Sequence, residues 1–171
     1  HHRYAPGVAG EIVIERITLP EILTRTAARF PERTALNFLG KRIIYRELEA
    51  IVNRTARTLT ALGVQRGEKV AILLPNMPQL VAATYGAQRI GAVPALFDPL
   101  GEEEELTRQV KASGATVLFT LDLLFPRAVT LREEAGIRTV IACHISDYLP
   151  FPGNKLLPLF KGKLYCKIPR E

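Results

Sequence analysis

Hydrophobic residues first recur at helical spacing near residue 18. Thr18, Pro20 and Glu21 predict a helix start, because threonine caps a helix, proline fits the first turn and glutamate at this spacing completes a reciprocal cap. Pro31 then ends the periodic pattern. The predicted apolar face of this helix comprises Leu19, Ile22, Leu23, Thr26, Ala27 and Phe30.

A hairpin and a second amphipathic helix are predicted next. Two short β-prone segments, 35–39 and 42–45, flank the Gly40-Lys41 pair and predict the hairpin. Apolar residues at helical spacing then predict a helix over 46–62, which ends at Gly63. Its predicted buried stripe comprises Leu48, Ile51, Val52, Ala56, Leu59 and Leu62.

From residue 69 the pattern changes to short, continuous apolar runs, which are 70–74, 92–97, 116–119 and 139–142. Their centres lie about two dozen residues apart, the length of a strand plus a crossover helix, so they predict parallel strands. Strands that are apolar throughout are typical of sheets covered by helices on both faces. The predicted fold class is α/β, an open, mostly parallel, doubly wound sheet with flanking helices and an N-terminal β-hairpin. Pro94 indicates that its run is an edge strand or an irregular strand.

Three crossover helices are predicted between these strands, over 76–89, 102–113 and 122–135. Asn76 is expected to cap the first helix, because asparagine is a preferred capping residue. Gly114 and Gly136 are expected to end the other two.

The length and composition fit one globular domain or one large subdomain of a larger protein. The 171 residues are 47% hydrophobic and 23% charged, which excludes a disordered or collagen-like chain because enough apolar side chain is present to offset the entropy of ordering. Cys143 and Cys166 match neither a disulfide framework nor the spacing of a zinc site. No apolar run approaches the ~20 residues of a membrane-spanning helix, and the first residues lack a signal-peptide core. We therefore expect a soluble, cytoplasmic protein.

The net charge of +6 is concentrated near the C-terminus. The bases there are Lys155, Lys161, Lys163, Lys167 and Arg170. A nucleic-acid-binding domain would carry a basic stripe within its fold, so no nucleic-acid partner is predicted. The predicted organisation is an N-terminal arm (1–16), an α/β subdomain (17–149) and a basic, proline-rich connection (150–171) toward a downstream domain. Contact of this connection with an anionic membrane surface is an alternative.

Two groups of reactive side chains are candidates for a metal site or a catalytic site. The four glutamates at 102–105 are expected to start a helix, because neighbouring helical residues point in different directions and acids favour the first turn. Cys143 and His144, with Ser146 and Asp147, have the residue types of a nucleophile and its base. Adjacent strand residues face opposite sides of a sheet, however, so a buried cysteine beside a surface histidine is expected.

The strand-to-helix turns are where ligands bind in open α/β sheets. None of these turns matches a glycine-rich phosphate loop. Capping accounts for the polar residues that close the strands or open the helices, which are Tyr45, Asn76, Asp98 and Asp122. No catalytic, cofactor-binding or metal-ligating residue is therefore predicted in this chain.

A series of short segments runs through most of the chain: 18–23 (TLPEIL), 29–36 (RFPERTAL), 44–48 (IYREL), 62–71 (LGVQRGEKVA), 74–76 (LPN), 89–94 (RIGAVP), 98–99 (DP) and 114–115 (GA). In this order they resemble the N-terminal part of acyl-CoA synthetases of the adenylate-forming (AMP-binding) superfamily. The segments 17–20 (ITLP) and 147–150 (DYLP) look most like the long-chain fatty acid branch.

The resemblance implies an ATP-dependent long-chain fatty acid–CoA ligase that forms an acyl-adenylate and then transfers the acyl group to the CoA thiol. It implies ATP, Mg²⁺ and CoA as cofactors of the parent enzyme, none of them held tightly by these residues. In the family, the Ser/Thr/Gly-rich loop and the catalytic lysine lie downstream of Glu171. We therefore expect an inactive N-terminal fragment that packs against the rest of its own N-terminal domain and a C-terminal domain.

Two alternatives remain open. The chain could come from another adenylate-forming ligase, with a different carboxylate substrate or a carrier-protein acceptor. It could instead be a complete, non-catalytic interaction module that keeps only the scaffold. In either case the chain could associate as a homodimer.

Overall fold

The computed structural model describes residues 15–160. Its helices and strands, in chain order, are α1 (Leu19–Arg29), β1 (Thr34–Phe38), β2 (Lys41–Ile44), α2 (Tyr45–Ala61), β3 (Lys69–Leu73), α3 (Pro78–Arg89), β4 (Val93–Leu96), α4 (Glu103–Ser113), β5 (Val117–Leu121), α5 (Phe125–Glu134), β6 (Thr139–Cys143) and α6 (Gly153–Phe160). Two short 3₁₀ turns, Asp122–Leu124 and Ile145–Tyr148, follow β5 and β6.

Four parallel strands form the main sheet in the order β4-β3-β5-β6. Their register aligns Ile72 of β3 with Leu96 of β4 on one side and with Phe119 of β5 on the other. β1 and β2 form a separate antiparallel hairpin. The predicted parallel sheet and hairpin are confirmed, and the strand that contains Pro94 lies at a sheet edge as predicted.

Helices cover both faces of the main sheet. One face packs against α2 and α3 in a cluster that includes Leu59, Ile72, Ala83 and Phe119. The opposite face packs against α4 and α5 in a cluster that includes Leu73, Leu106, Leu118 and Leu131. Successive residues of β3 and β5 therefore enter two different cores, which explains why both strands are apolar throughout. The predicted doubly wound arrangement is confirmed.

The first helix begins as predicted, but its buried face is narrower than predicted. The backbone N–H of Thr18 donates to Glu21 Oε2 at 2.8 Å, completing the capping box. Leu23 and Ala27 are buried, whereas Leu19 and Ile22 are 51% and 45% exposed. The prediction was wrong at these two positions, because α1 contacts α2 and α3 along one narrow stripe.

The second helix agrees more closely with its prediction. It buries Leu48, Val52, Ala56 and Leu59. Leu62 is 41% exposed because it follows the last helical residue, Ala61. Gly63 adopts a φ of 82°, the left-handed conformation typical of a residue that ends a helix.

Two crossover helices start differently from the prediction. Asn76 does not cap α3, since Met77 occupies the cap position without a side-chain cap bond and the helix begins at Pro78. The predicted helix 122–135 begins with a 3₁₀ turn and becomes α-helical at Phe125, with Pro126 in the first turn. Backbone N–H groups in the first turn of a helix have no partner within the helix, so proline, which lacks this group, is tolerated there. Proline also fixes φ near the helical value, so Pro78 and Pro126 favour the observed starts of α3 and α5.

The end of the described chain contains an element that the sequence did not predict. Gly153–Phe160 forms α6, which packs on the 3₁₀ turn Ile145–Tyr148. The proposed boundaries after residues 16 and 149 stay predictions, and most of the N-terminal arm, four of the five basic residues and Cys166 lie outside the described residues. Between residues 15 and 160, no helix combines the length and apolarity needed to cross a bilayer.

Candidate functional site

The parallel strands of the main sheet all end at one edge. β3, β4 and β5 end at Leu73, Leu96 and Leu121, and β6 ends at Cys143. The turns that follow bring residues 74–77, 97–102, 122–124 and 144 to this carboxyl edge. In open α/β sheets ligands bind beyond the carboxyl ends of the strands, so this edge is the place to look for a site.

An open apolar cleft of about 550 Å³ lies at the carboxyl ends of β3, β4 and β5. Its lining is Leu74, Pro75, Asn76, Leu80, Leu96, Phe97, Asp98, Pro99, Leu100, Leu121, Leu123 and Leu124. Three leucines of its rim are exposed to solvent: Leu96 at 56%, Leu100 at 87% and Leu123 at 39%. Exposed leucines that converge on one concave surface indicate a binding surface rather than a random scatter.

The loop between β4 and α4 forms one wall of this cleft, and polar bonds hold its shape. Asp98 Oδ1 accepts from the backbone N–H of Leu100 at 2.9 Å. Arg127, on α5, donates from Nη1 to the carbonyl oxygens of Pro99 at 3.0 Å and Gly101 at 2.8 Å. The loop is therefore held by one bond within itself and by two bonds to α5, and Leu100 is exposed to solvent. The sequence analysis did not single out Arg127, because nothing in its local pattern distinguishes it from other helix-surface arginines.

A buried carboxylate and a half-exposed imidazole meet beside the cleft. Asp122 is 1% exposed, and its Oδ2 contacts Nδ1 of His144, whose side chain is 44% exposed. Asp122 Oδ1 also accepts from the backbone N–H of Leu123 at 2.9 Å. Gln79 of α3 donates to the His144 carbonyl oxygen at 2.9 Å. These contacts join the ends of β5 and β6 to α3.

From the sequence, Asp122 is predicted to cap a helix and His144 to lie at the surface. The bond to Leu123 supports the capping assignment. The contact between Asp122 and His144 was missed, since the two residues are 22 positions apart and meet only because β5 and β6 are neighbours. No local signal in the sequence indicates this pair.

The last residue of β6, Cys143, is a buried free thiol. Burial, with a smaller contribution from the nearby carboxylates of Asp147 and Asp122, raises its pKa to about 12. A thiol with so high a pKa stays neutral at physiological pH and is a poor nucleophile. The prediction of a buried cysteine beside an accessible histidine is confirmed.

A larger, acidic hollow of about 990 Å³ lies at the start of α4. Glu103, Glu104 and Glu105 form the first turn of the helix, which confirms the predicted helix start. Glu105 binds Arg108 and Gln109, and Thr130 donates to Glu103 at 3.1 Å. Within residues 15–160, no three His, Cys, Asp or Glu side chains are grouped closely enough to hold a metal ion.

The residues at the carboxyl edge do not fit a nucleoside triphosphate with its Mg²⁺. The cleft is lined mainly by leucine and proline, and its ionisable lining residue, Asp98, would repel phosphate. The described turns at this edge offer no glycine-rich loop of backbone N–H donors. No step of nucleotide chemistry is therefore assigned to these residues, and the absence of catalytic residues from the chain stays a prediction.

Comparison with known proteins gives a consistent result. A family model described as AMP-binding enzyme matches residues 23–164. The long-chain-fatty-acid–CoA ligase of Bacillus subtilis (strain 168) is 37% identical over 156 residues, covering 91% of this chain. Phosphinothricin tripeptide synthetase PhsC of Streptomyces viridochromogenes is 36% identical over 147 residues, covering 82% of this chain.

A solved structure shows the same fold. The crystal structure of a long-chain-fatty-acid–CoA ligase, FadD1, from Archaeoglobus fulgidus matches 77% of this chain with a TM-score of 0.71 and 23% identity. The chain spans 28% of the length of the Bacillus relative, 13% of the Streptomyces relative and 28% of the solved structure. These likenesses extend over most of the chain described here.

Proposed function

This chain belongs to the AMP-binding enzyme family, and we propose that it forms the first part of the N-terminal domain of a long-chain fatty acid–CoA ligase. The acyl-CoA ligases among the adenylate-forming enzymes use ATP, Mg²⁺ and CoA. The proposed enzyme converts a fatty acid, ATP and CoA into acyl-CoA, AMP and pyrophosphate through an acyl-adenylate. The observation that carries the proposal is the 37% identity to the Bacillus long-chain ligase over 91% of the chain.

The proposed role of this chain in that enzyme is to supply scaffold. Helices cover both faces of its parallel sheet. The carboxyl edge and the two outer strands, β4 and β6, are therefore the parts of the sheet that can contact the rest of the polypeptide. We propose that residues 17–149 form the α/β subdomain, with 1–16 as an arm and 150–171 as a connection to the remaining domains, and that the enzyme is cytoplasmic. Nucleotide and CoA binding then falls to residues outside this chain.

A second candidate is an adenylate-forming ligase with another carboxylate substrate or a carrier-protein acceptor. The observation that favours it is the 36% identity to PhsC, a peptide synthetase, which nearly equals the identity to the fatty acid ligase. The fold is compatible with both candidates, so the choice depends on substrate turnover.

The test is substrate-dependent exchange between ATP and labelled pyrophosphate, measured on the product of the complete reading frame across a panel of acids. We expect exchange with long-chain fatty acids, followed by thioester formation when CoA is added. The 171-residue chain alone is the matched control and should give no exchange. Exchange with amino acids but not fatty acids would favour the second candidate, and fatty-acid-dependent exchange by the 171 residues alone would overturn the scaffold role.

A further inference from the structure

We propose that the tip of the β1–β2 hairpin docks on an anionic lipid bilayer, with Leu39 entering the interface and the bases beside it meeting the lipid headgroups. The partner is a membrane surface rather than a protein or a nucleic acid. The proposal does not rest on the ligase activity proposed above, since the contact involves neither ATP nor a fatty acid substrate.

The first observation is a leucine in a place that folding does not favour. Phe38 pairs with Lys41 across the hairpin, so Leu39 and Gly40 form a two-residue turn. Both have a positive φ, 49° at Leu39 and 88° at Gly40, and in turns of this kind asparagine or aspartate normally precedes the glycine. A bulky side chain is strained there, and Leu39 is also 63% exposed. A single exposed leucine is ordinary, but one that also strains the backbone indicates a functional contact.

Bases lie beside this tip. Arg42 follows the turn on β2 and is exposed. Lys41 donates to the carbonyl oxygen of Asp147 at 3.4 Å and lies over the ring of Tyr148. Arg54, on α2, is close enough to interact electrostatically with the same tyrosine. Within residues 15–160 no carboxylate forms an ion pair with any of these three bases, so their charges remain available to an anionic partner.

The second observation is a difference in charge across the main sheet. Residues 15–62, which form α1, the hairpin and α2, contain nine bases and five acids, a net charge of +4. Residues 98–135, which form α4, β5 and α5, contain four bases and eight acids, a net charge of −4. Because α2 and the pair α4 and α5 cover opposite faces of the sheet, an anionic surface attracts the hairpin side and repels the other.

The leucine and the bases together select the partner. An anionic bilayer has an apolar interior behind a negatively charged headgroup layer, so it accommodates an apolar tip and its flanking bases at once. A nucleic acid would neutralise the bases but would leave the leucine in water. The hairpin tip therefore fits a membrane surface better than a nucleic acid.

The experiment is flotation of the 171-residue chain with vesicles made of equal parts phosphatidylglycerol and phosphatidylcholine. Vesicles of phosphatidylcholine alone are the lipid control. We expect binding to the anionic vesicles, little binding to the neutral ones, and a loss of binding as salt is added. The bases beyond residue 160 are the same in every variant, so differences between variants report on the hairpin.

Leu39→Asn tests the insertion of the tip. Asparagine tolerates the left-handed region, so this variant should keep or raise the free energy of unfolding. It should nevertheless weaken binding to the anionic vesicles by about fivefold, because the apolar contact is lost. Val129→Asn, at a residue of α5 that is 42% exposed, is the matched control and should bind as the original chain does. A purely structural role of Leu39 would instead appear as a loss of stability.

Two charge reversals test the orientation. Arg42→Glu and Arg132→Glu change the net charge of the chain equally, but they lie on opposite sides of the sheet, and both arginines are exposed. The first should weaken binding by about fivefold or more, because a base near an anionic surface is replaced by an acid. The second should change binding by less than about twofold, because its charge is screened at a greater distance from the lipid.

Several results would overturn the proposal. Equal losses in Arg42→Glu and Arg132→Glu would mean that net charge alone drives the binding, and unchanged binding of Leu39→Asn would mean that the tip does not enter the interface. Absence of binding to the anionic vesicles would end the proposal outright. The product of the complete reading frame should rank the variants in the same order. If its binding does not depend on Leu39, the rest of the polypeptide covers the hairpin tip and the proposal fails.

Discussion

The two edges of the main sheet differ in the residues that turn the chain. At the amino edge, the segments that lead from helices into strands contain glycines with left-handed backbone, with φ from 68° to 82° at Gly63, Gly91, Gly114 and Gly136. At the carboxyl edge, the described turns contain Pro, Asn, Asp and Leu, and Gly101 there has no positive φ.

This difference shows that glycine content alone does not mark the edge at which open α/β sheets bind ligands. Gly63, Gly114 and Gly136 have open space where a Cβ would stand, so their backbone conformation, not a close neighbour, is what requires glycine. They end helices and keep the connections short. The carboxyl edge instead combines exposed leucines with a buried carboxylate, Asp122, whose burial is offset by its bonds to His144 and to the Leu123 N–H.

The largest expected effect is a difference in thiol alkylation rate between a buried position and an exposed position at the carboxyl edge. In a Cys166→Ser background, iodoacetamide should alkylate Cys143 about a hundred- to a thousandfold more slowly in the folded protein than in urea, because folding raises the pKa of this thiol to about 12 and thiolate is the reactive form. Leu100→Cys, at a position that is 87% exposed, is the control and should react rapidly in the folded protein. Mass spectrometry of the labelled peptides measures both rates.

The same thiol gives a pH dependence of known sign. Since the pKa of Cys143 is higher in the folded state, the unfolded thiol ionises first as the pH rises above about 9. The folded state should therefore lose stability between about pH 9 and 12 relative to a Cys143→Ala variant. Rapid alkylation of Cys143 at neutral pH in the folded protein would show that the carboxyl edge is open at this point.

The second prediction concerns the buried carboxylate of the carboxyl edge. Asp122→Ala should lower the free energy of unfolding by about 2 kcal/mol, because it removes the bonds to His144 and to the Leu123 N–H. His144→Ala should cost less, since the imidazole is 44% exposed and water can replace part of its contact. Urea unfolding of the two single variants and the double variant measures the coupling between them. Additive effects would mean that the pair contributes no interaction of its own.

This pair also shows which features the sequence could predict. The strands, the five helices before residue 150 and the capping box at Thr18 and Glu21 depend on patterns within a few residues, and the structure confirms them. The contact between Asp122 and His144 depends on which strands are neighbours, and that order is not written in any local pattern. The cleft was missed for the same reason, because its leucines come from the ends of three separate strands and from the segments that follow them.

The smallest expected effect tests the amino edge. Gly114→Ala should lower the free energy of unfolding by about 1 kcal/mol, because a side chain is strained at a φ of 68° even though its Cβ would meet open space. Gly114→Asn is the matched control and should recover part of this loss, since asparagine tolerates the left-handed region. Thermal and urea unfolding measure both variants.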